Sequence, residues 1–198
     1  MSEPAIALIE FDSISAGIVA GDGMVKASPV EAVYGGTVHP GKYLVMVAGD
    51  TASVEIALGV GIELGSGHVT DSVFLPDIHP EVSAAVVAGA EAADLVEEAL
   101  GIVETATVAS VIDAADAGIK ASAVTVSAVT LADGLGGKGY VLFSGLVADV
   151  EAAVDSATAR CTPHGTLIRS DVIAQLHGEM AENLESHLRF AKRVRAGG

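Results

Sequence analysis

Asp22-Gly23-Met24-Val25-Lys26-Ala27-Ser28 returns in the second half of the chain as Asp116-Ala117-Gly118-Ile119-Lys120-Ala121-Ser122. Each copy sets an acid four positions before a lysine and closes on Ala-Ser. Outward from this stretch the matches continue in order. Ala7-Leu8-Ile9-Glu10 recurs as Gly101-Ile102-Val103-Glu104, Gly41-Lys42 as Gly137-Lys138, and Val54-Glu55 as Val150-Glu151. Leu75-Pro76-Asp77-Ile78-His79 recurs as Ile173-Ala174-Gln175-Leu176-His177. The offset between copies widens twice, each time where a loop is expected. Two Ala/Val-rich stretches matching by chance would not keep this order, so the chain reads as a tandem duplication. The joint lies near residues 89–98, an Ala/Glu-rich stretch without a strand signal.

Each copy reads alike. An apolar run (residues 5–11; 100–104) predicts a strand, followed by a helix for which Asp12-Ser13 supplies N-cap chemistry in the first copy. Residues 30–38 and 42–48 predict two strands joined at His39-Pro40-Gly41. Asp50 is placed to cap the next helix, which should end at the glycines near 65–67. A last strand over 69–75 precedes His79-Pro80 and a short helix. The order β-α-β-β-α-β is that of a ferredoxin-like split βαβ unit. The predicted fold is therefore α+β, an α/β sandwich of two such units over residues 4–88 and 99–180. A basic helical tail follows at 181–198. In such a unit the helices cover one face of the sheet, so the other face and the edges need a partner.

Composition bounds the function. The 198 residues carry 10 Lys+Arg against 26 Asp+Glu, a net charge of −16, which argues against binding nucleic acid or an anionic membrane surface. Hydrophobic residues reach 51% with only 4% aromatic and no Trp, so the core is built from small side chains. The mean hydropathy is +0.54, yet no uncharged apolar run is long enough to span a bilayer. A chain of this kind is expected to hide apolar surface against copies of itself. Cys161 is the only cysteine, which leaves no intrachain disulfide and no Cys-based zinc site. The N-terminal residues Met1-Ser2-Glu3-Pro4 lack the pattern of a signal peptide, and a cytoplasmic protein is expected.

Taken together, the strand ending in Glu, the helix ending Asp-x-x-x-Lys-Ala, the Gly-rich hairpin, the Val-Glu helix and the closing Pro-x-x-His resemble the bacterial microcompartment shell domain. The residues that carry it are Leu8-Ile9-Glu10, Asp22 to Ala27, Val38 to Lys42, Gly49 to Glu55 and Pro76 to His79. The second copy supplies Ile102 to Glu104, Asp116 to Ala121, Gly134 to Lys138, Gly145 to Glu151 and His177. Both copies start from the strand with Glu, which resembles the non-permuted, trimeric tandem subclass of the propanediol type. The resemblance implies a homotrimer whose six domains form a flat pseudohexameric tile. Such tiles pack edge to edge with other microcompartment shell proteins around encapsulated enzymes. It also implies tile-edge contacts through Lys26 and Lys120, each otherwise read as a solvated lysine at a helix end. Asp77 and Gln175 stand where single-domain relatives often carry an Arg beside the Pro-x-His.

The resemblance further implies that the hairpin loops line a central pore for small polar metabolites. The pore-lining residues are then Val38, His39, Pro40 and Gly41 from the first copy, with Asp133, Gly134, Leu135, Gly136 and Gly137 from the second. Propanediol-type relatives carry a Cys before the Pro-Gly-Lys, where three copies hold an iron–sulfur cluster on the threefold axis. His39 occupies that position here, so no cluster and no other cofactor is carried over. Three converging imidazoles are a known zinc arrangement, which leaves His39 as a candidate metal ligand on the axis. The competing readings are a plain pore lining and an exposed loop histidine without a role.

Other patterns carry less. Gly134-Leu135-Gly136-Gly137-Lys138-Gly139 spells G-x-G-x-x-G, but a strand is expected to follow it where a dinucleotide site needs a helix. Glu10 and Glu104 are repeat partners, so they read as strand-end carboxylates rather than as one acid–base pair. His79 and His177 are likewise repeat partners at a helix start. His68, His164 and His187 show no ligand spacing, and no nucleophile–base constellation stands out, so no enzyme is predicted. In the tail, Leu184, Leu188, Ala191 and Val194 recur at helical spacing beside Arg189, Lys192, Arg193 and Arg195, which reads as an amphipathic helix packed on its own domain or docking elsewhere. Three functions are in play: a shell tile with a pore, a metal or redox carrier with a site on the threefold axis, and a duplicated ferredoxin-like ligand-binding regulator.

Overall fold

The computed structural model describes residues 5–88 and 99–185. The joint at 89–98 and the basic part of the tail, including His187, Leu188, Arg189, Ala191, Lys192, Arg193, Val194 and Arg195, lie outside the described residues. In the first half the elements are β1 (Ala5–Phe11), α1 (Ile14–Ala27), β2 (Ala32–Val38), β3 (Lys42–Gly49), α2 (Thr51–Leu64), β4 (Val69–Leu75) and α3 (Pro80–Ala88). The second half repeats them as β5 (Ala99–Thr105), α4 (Val108–Ala121), β6 (Thr125–Leu131), β7 (Gly139–Gly145), α5 (Val147–Cys161), β8 (Leu167–Ile173) and α6 (Gly178–Glu185). The order is the predicted split βαβ unit, twice. Helix α6 starts before residue 181 and so crosses the expected start of the tail.

Each half forms one antiparallel four-stranded sheet, ordered β2-β3-β1-β4 and β6-β7-β5-β8. Strand β1 is central and buried on both faces, which is why it reads as a continuous apolar run broken only by Glu10. Alternate residues divide its two faces. Ala5, Ala7, Ile9 and Phe11 pack with Met24, Val45, Val47 and Val54 under α1 and α2. Ile6 and Leu8 face the other way, into a cluster shared with Val108, Ala109 and Ile112 of the second half. One continuous core therefore joins the halves, built where α4 lies against the first sheet.

Local chemistry places the helix ends as expected. Ser13 Oγ accepts the Ala16 N–H (3.3 Å) at α1, and Asp50 Oδ1 accepts the Ser53 N–H (3.0 Å) at α2. Small residues let the helices approach the sheets. A Cβ on Gly17 would lie 2.5 Å from Tyr43 Cδ1, and one on Gly118 would lie 2.3 Å from Phe143 Cζ. Both halves carry a register shift just after the repeated glutamate, at Glu10/Phe11 and at Glu104/Thr105. The first insertion falls in the β6–β7 loop: Ala132 to Lys138 connect Leu131 to Gly139, where Val38 to Lys42 connect Thr37 to Tyr43. The second falls at the 3-10 turn Thr162–His164 that follows α5.

Candidate functional site

The two hairpin loops that the sequence singles out meet in space. A Cβ built on Gly137 would lie 3.0 Å from Pro40 Cδ and 3.5 Å from the His39 carbonyl oxygen. The first loop turns at a cis His39–Pro40 bond and at Gly41, with φ of 112°, whose N–H donates to the Val38 carbonyl (2.9 Å). The second needs left-handed backbone at Gly134, Gly136 and Gly137, with φ of 79°, 66° and 86°, which glycine adopts without a Cβ clash. Its ends are tied by the Ala132 N–H to the Lys138 carbonyl (3.0 Å). His39, Pro40, Gly41, Asp133, Gly134 and Gly136 are exposed, Val38 and Leu135 are half-buried, and Gly137 is buried. His39 Nδ1 stands 3.7 Å from Asp133 Oδ1. The imidazole thus has a carboxylate beside it as well as glycine backbone, a pairing that the spacing of two separate loops does not reveal. Because β7 begins at Gly139, the G-x-G-x-x-G letters open no helix.

Just behind each loop sits an ion pair that the sequence held only in part. Lys42 Nζ donates to Glu10 Oε2 at 3.0 Å, and Lys138 Nζ donates to Glu104 Oε1 at 2.9 Å. Glu10 also accepts the Ala109 N–H on Oε1 at 2.8 Å, at the N-terminal turn of α4. Burial pushes the Glu10 carboxyl above its ordinary range, and the Ala109 N–H and Lys42 pull it back only in part. Glu10 and Glu104 thus hold matching places in two separate sheets, each paired with the lysine behind its own loop.

A second set of contacts closes the seam between the halves near the helix-end lysine. The Asp116 carboxylate accepts the His79 N–H on Oδ1 (2.7 Å) and Lys120 Nζ on Oδ2 (2.8 Å), while Lys120 also donates to the Asp77 carbonyl. Lys120 therefore bridges the two halves of one chain. Lys26 pairs with Asp22 at 2.5 Å in the same i,i+4 geometry, but both side chains point into solvent. His79 and His177 do the same work in both halves: their Nδ1 atoms accept the N–H of Glu81 and of Glu179 at 3.3 Å.

Two absences bear on chemistry. Among the described residues, no group of three or more His, Cys, Asp or Glu is gathered to hold a metal. Cys161 is buried under α4, its Sγ 3.7 Å from the Ser110 carbonyl, and burial pushes its thiol up to about 11. Cys161 therefore offers no exposed thiolate. No helix among the described residues is long and apolar enough to cross a membrane.

Comparison with known proteins agrees with the repeat. The BMC domain family model matches residues 5–78 and again 99–176. The bacterial microcompartment shell protein PduT of Citrobacter freundii is 40% identical over 176 residues, covering 89% of this chain and 95% of its own. The crystal structure of a microcompartment protein from Desulfitobacterium hafniense DCB is 36% identical with a TM-score of 0.78, over 91% of this chain and 99% of that one. The fused permuted hexameric shell protein MSM0275 from the RMM microcompartment shares the fold at 20% identity and a TM-score of 0.58, over 81% and 82%.

Proposed function

From the premise that this chain belongs to the BMC domain family, as a tandem-domain microcompartment shell protein, we propose that three copies close into a ring of six domains with the paired loops around its axis. The role of the protein is structural, as a component of a microcompartment shell. The observation that carries the ring is unequal burial at repeat-equivalent positions. Val108 and Ile112 on α4 are both 0% exposed, while their counterparts Ile14 and Ile18 on α1 stand 44% and 53% exposed. On the sheet side, Leu75 is 6% exposed and its counterpart Ile173 38%. The Glu10 side chain is fully buried, and that of Glu104 is one-third exposed. The first sheet already has a helix from the other half, α4, beside β4; the second sheet has no such outside helix beside β8, and α1 is the equivalent helix whose outer face is left uncovered. Joining β8 of one copy to α1 of the next repeats the seam within the chain and ends after three copies if the turn per domain is one-sixth.

In that ring Glu104 takes the N–H of Ser15 of the next copy, as Glu10 takes that of Ala109. Asp22 and Lys26 of the next copy likewise receive the segment at Gln175 and His177, as Asp116 and Lys120 receive Asp77 and His79 within the chain. Lys26 and Lys120 would then hold matching seams, with the rest of each lysine available at the tile edge to other shell proteins. The axis would be lined by His39 and Asp133 alternating with glycine backbone, a passage for small polar metabolites selected by width and by backbone donors. Contact with encapsulated enzymes and residence in the cytoplasm are part of the same proposal. Electron microscopy of the purified protein tests it: discs of six lobes with threefold symmetry are expected, and particles without rotational symmetry would contradict the ring.

A metal on the axis is a second reading, favoured by the carboxylate beside each imidazole. Three His39–Asp133 pairs would supply the donors that one chain lacks. Elemental analysis of the purified protein should then find a divalent metal, lost in His39→Ala; metal-free protein overturns it.

A further inference from the structure

The two seams of such a ring are chemically different. Within the chain, two carboxylates of the first half meet the N-terminus of α4. Glu10 accepts the Ala109 N–H, and Asp71 Oδ2 accepts the hydroxyls of Thr107, the N-cap, and of Ser110. Negative charge at a helix N-terminus is favourable, so both acids suit the place. Asp71 sits opposite Glu10 across the β1–β4 pairing. In the second half the residue opposite Glu104 is Arg169. The glutamate is kept and its neighbour has reversed sign.

The helix on the other side of the seam has changed to match. Before the α4 N-cap Thr107 stands Ala106; before the α1 N-cap Ser13 stands Asp12. Ser110, whose hydroxyl Asp71 uses, corresponds to Ala16, which has none. Three positions have thus moved together, one on the sheet and two at the helix start. We propose that the seam between copies is closed by an ion pair between Arg169 of one copy and Asp12 of the next, where the seam within the chain sets Asp71 on Thr107 and Ser110. The inference rests on the ring reading above.

The surroundings suit the pair. Both side chains are exposed in the single chain, as an unmade contact requires. Asp171, next on the same face of β8, holds Arg169 by Nε (2.5 Å) and Nη2 (2.8 Å). A guanidinium has five donors, so the held arginine keeps donors for a second carboxylate and for the Ser13 hydroxyl. Asp12 Oδ1 meets His68 Nδ1 at 2.8 Å, leaving Oδ2 open to the arginine. The reversal also rejects wrong joints. An α1 offered to the first sheet would bring Asp12 toward Asp71, and an α4 offered to the second sheet would give Arg169 no acid.

Charge reversal tests the pair. Arg169→Asp and Asp12→Arg are made singly and together, and association is followed by sedimentation across protein and salt concentration, with circular dichroism to verify the fold. Each single variant should weaken assembly about tenfold or more, and the double variant should recover most of it. Wild-type assembly should weaken with salt. A wild-type ring indifferent to the reversal, or a double variant no better than the singles, overturns the pair and leaves the ring standing. A wild-type chain that never exceeds one copy overturns both.

Discussion

Replacing Glu10 separates what its carboxylate accepts from the charge it carries. Its side chain is fully buried, with Ala109 N–H at 2.8 Å on one oxygen and Lys42 Nζ at 3.0 Å on the other. In Glu10→Ala the buried Ala109 N–H loses its partner, which costs about 1–3 kcal/mol. Lys42 is partly exposed and can turn to water, so its loss adds little. In a chain of this length, 1 kcal/mol moves the thermal midpoint by about 2–4 °C, so the midpoint should fall by roughly 2–12 °C. Glu10→Gln keeps an acceptor for Ala109 and removes a charge that burial disfavours, so its midpoint should stay within about 2 °C of wild type. The pH dependence has a definite sign. The folded carboxyl titrates above its ordinary 4.5, so the stability it contributes is complete below the unfolded value and is lost as pH rises through the folded one. Relative to Glu10→Gln, the wild type should gain as the pH is lowered from neutrality toward 4.5. Differential scanning calorimetry at fixed protein concentration measures both effects. Equal losses in the Ala and Gln variants would refute the acceptor argument and transfer the stability to the Lys42 charge.

Other predictions follow from single contacts. Ile18→Asp places a charge where α1 is proposed to meet the next copy; the chain should fold, and its native mass should drop to one copy, because losing an isoleucine's burial costs about 1.5–3 kcal/mol before the charge is counted. Cys161 should resist a thiol reagent at pH 8 in the folded protein and react at once in denaturant, since its thiol is buried and titrates near 11; rapid labelling of the native protein would refute its placement. Gly118→Ala forces Phe143, itself fully buried, out of position and should cost about 1–3 kcal/mol in denaturant titration. Gly59→Ala, on an exposed turn of α2 with no atom within 4 Å, should instead stabilise by about 0.5–1 kcal/mol.

The repeat made the fold legible. Once Asp22 to Ser28 was matched to Asp116 to Ser122, each half supported the other's strands, and Ser13 and Asp50 marked helix starts that the structure keeps. The same symmetry hid the functional asymmetry. Glu10 and Glu104, or Ile112 and Ile18, look alike in sequence, and only packing reveals that one of each pair is covered and the other is not. Lys120 reads as a helix-end lysine because its Asp77 contact depends on how two halves dock, which no local pattern encodes. The His39–Asp133 pairing joins loops from different halves and was equally out of reach. One signal was present and silent: within a duplicated sequence, the exchange of Asp71 for Arg169 beside a repeated glutamate marks the place where the two seams part company.

The central claim is that the second sheet and α1 are covered by copies of this chain. Light scattering on the purified protein tests it most directly. Three times 19.8 kDa, about 59 kDa, is the predicted native mass. A mass near 20 kDa at every concentration would contradict the ring, and with it the shared axis of the paired loops.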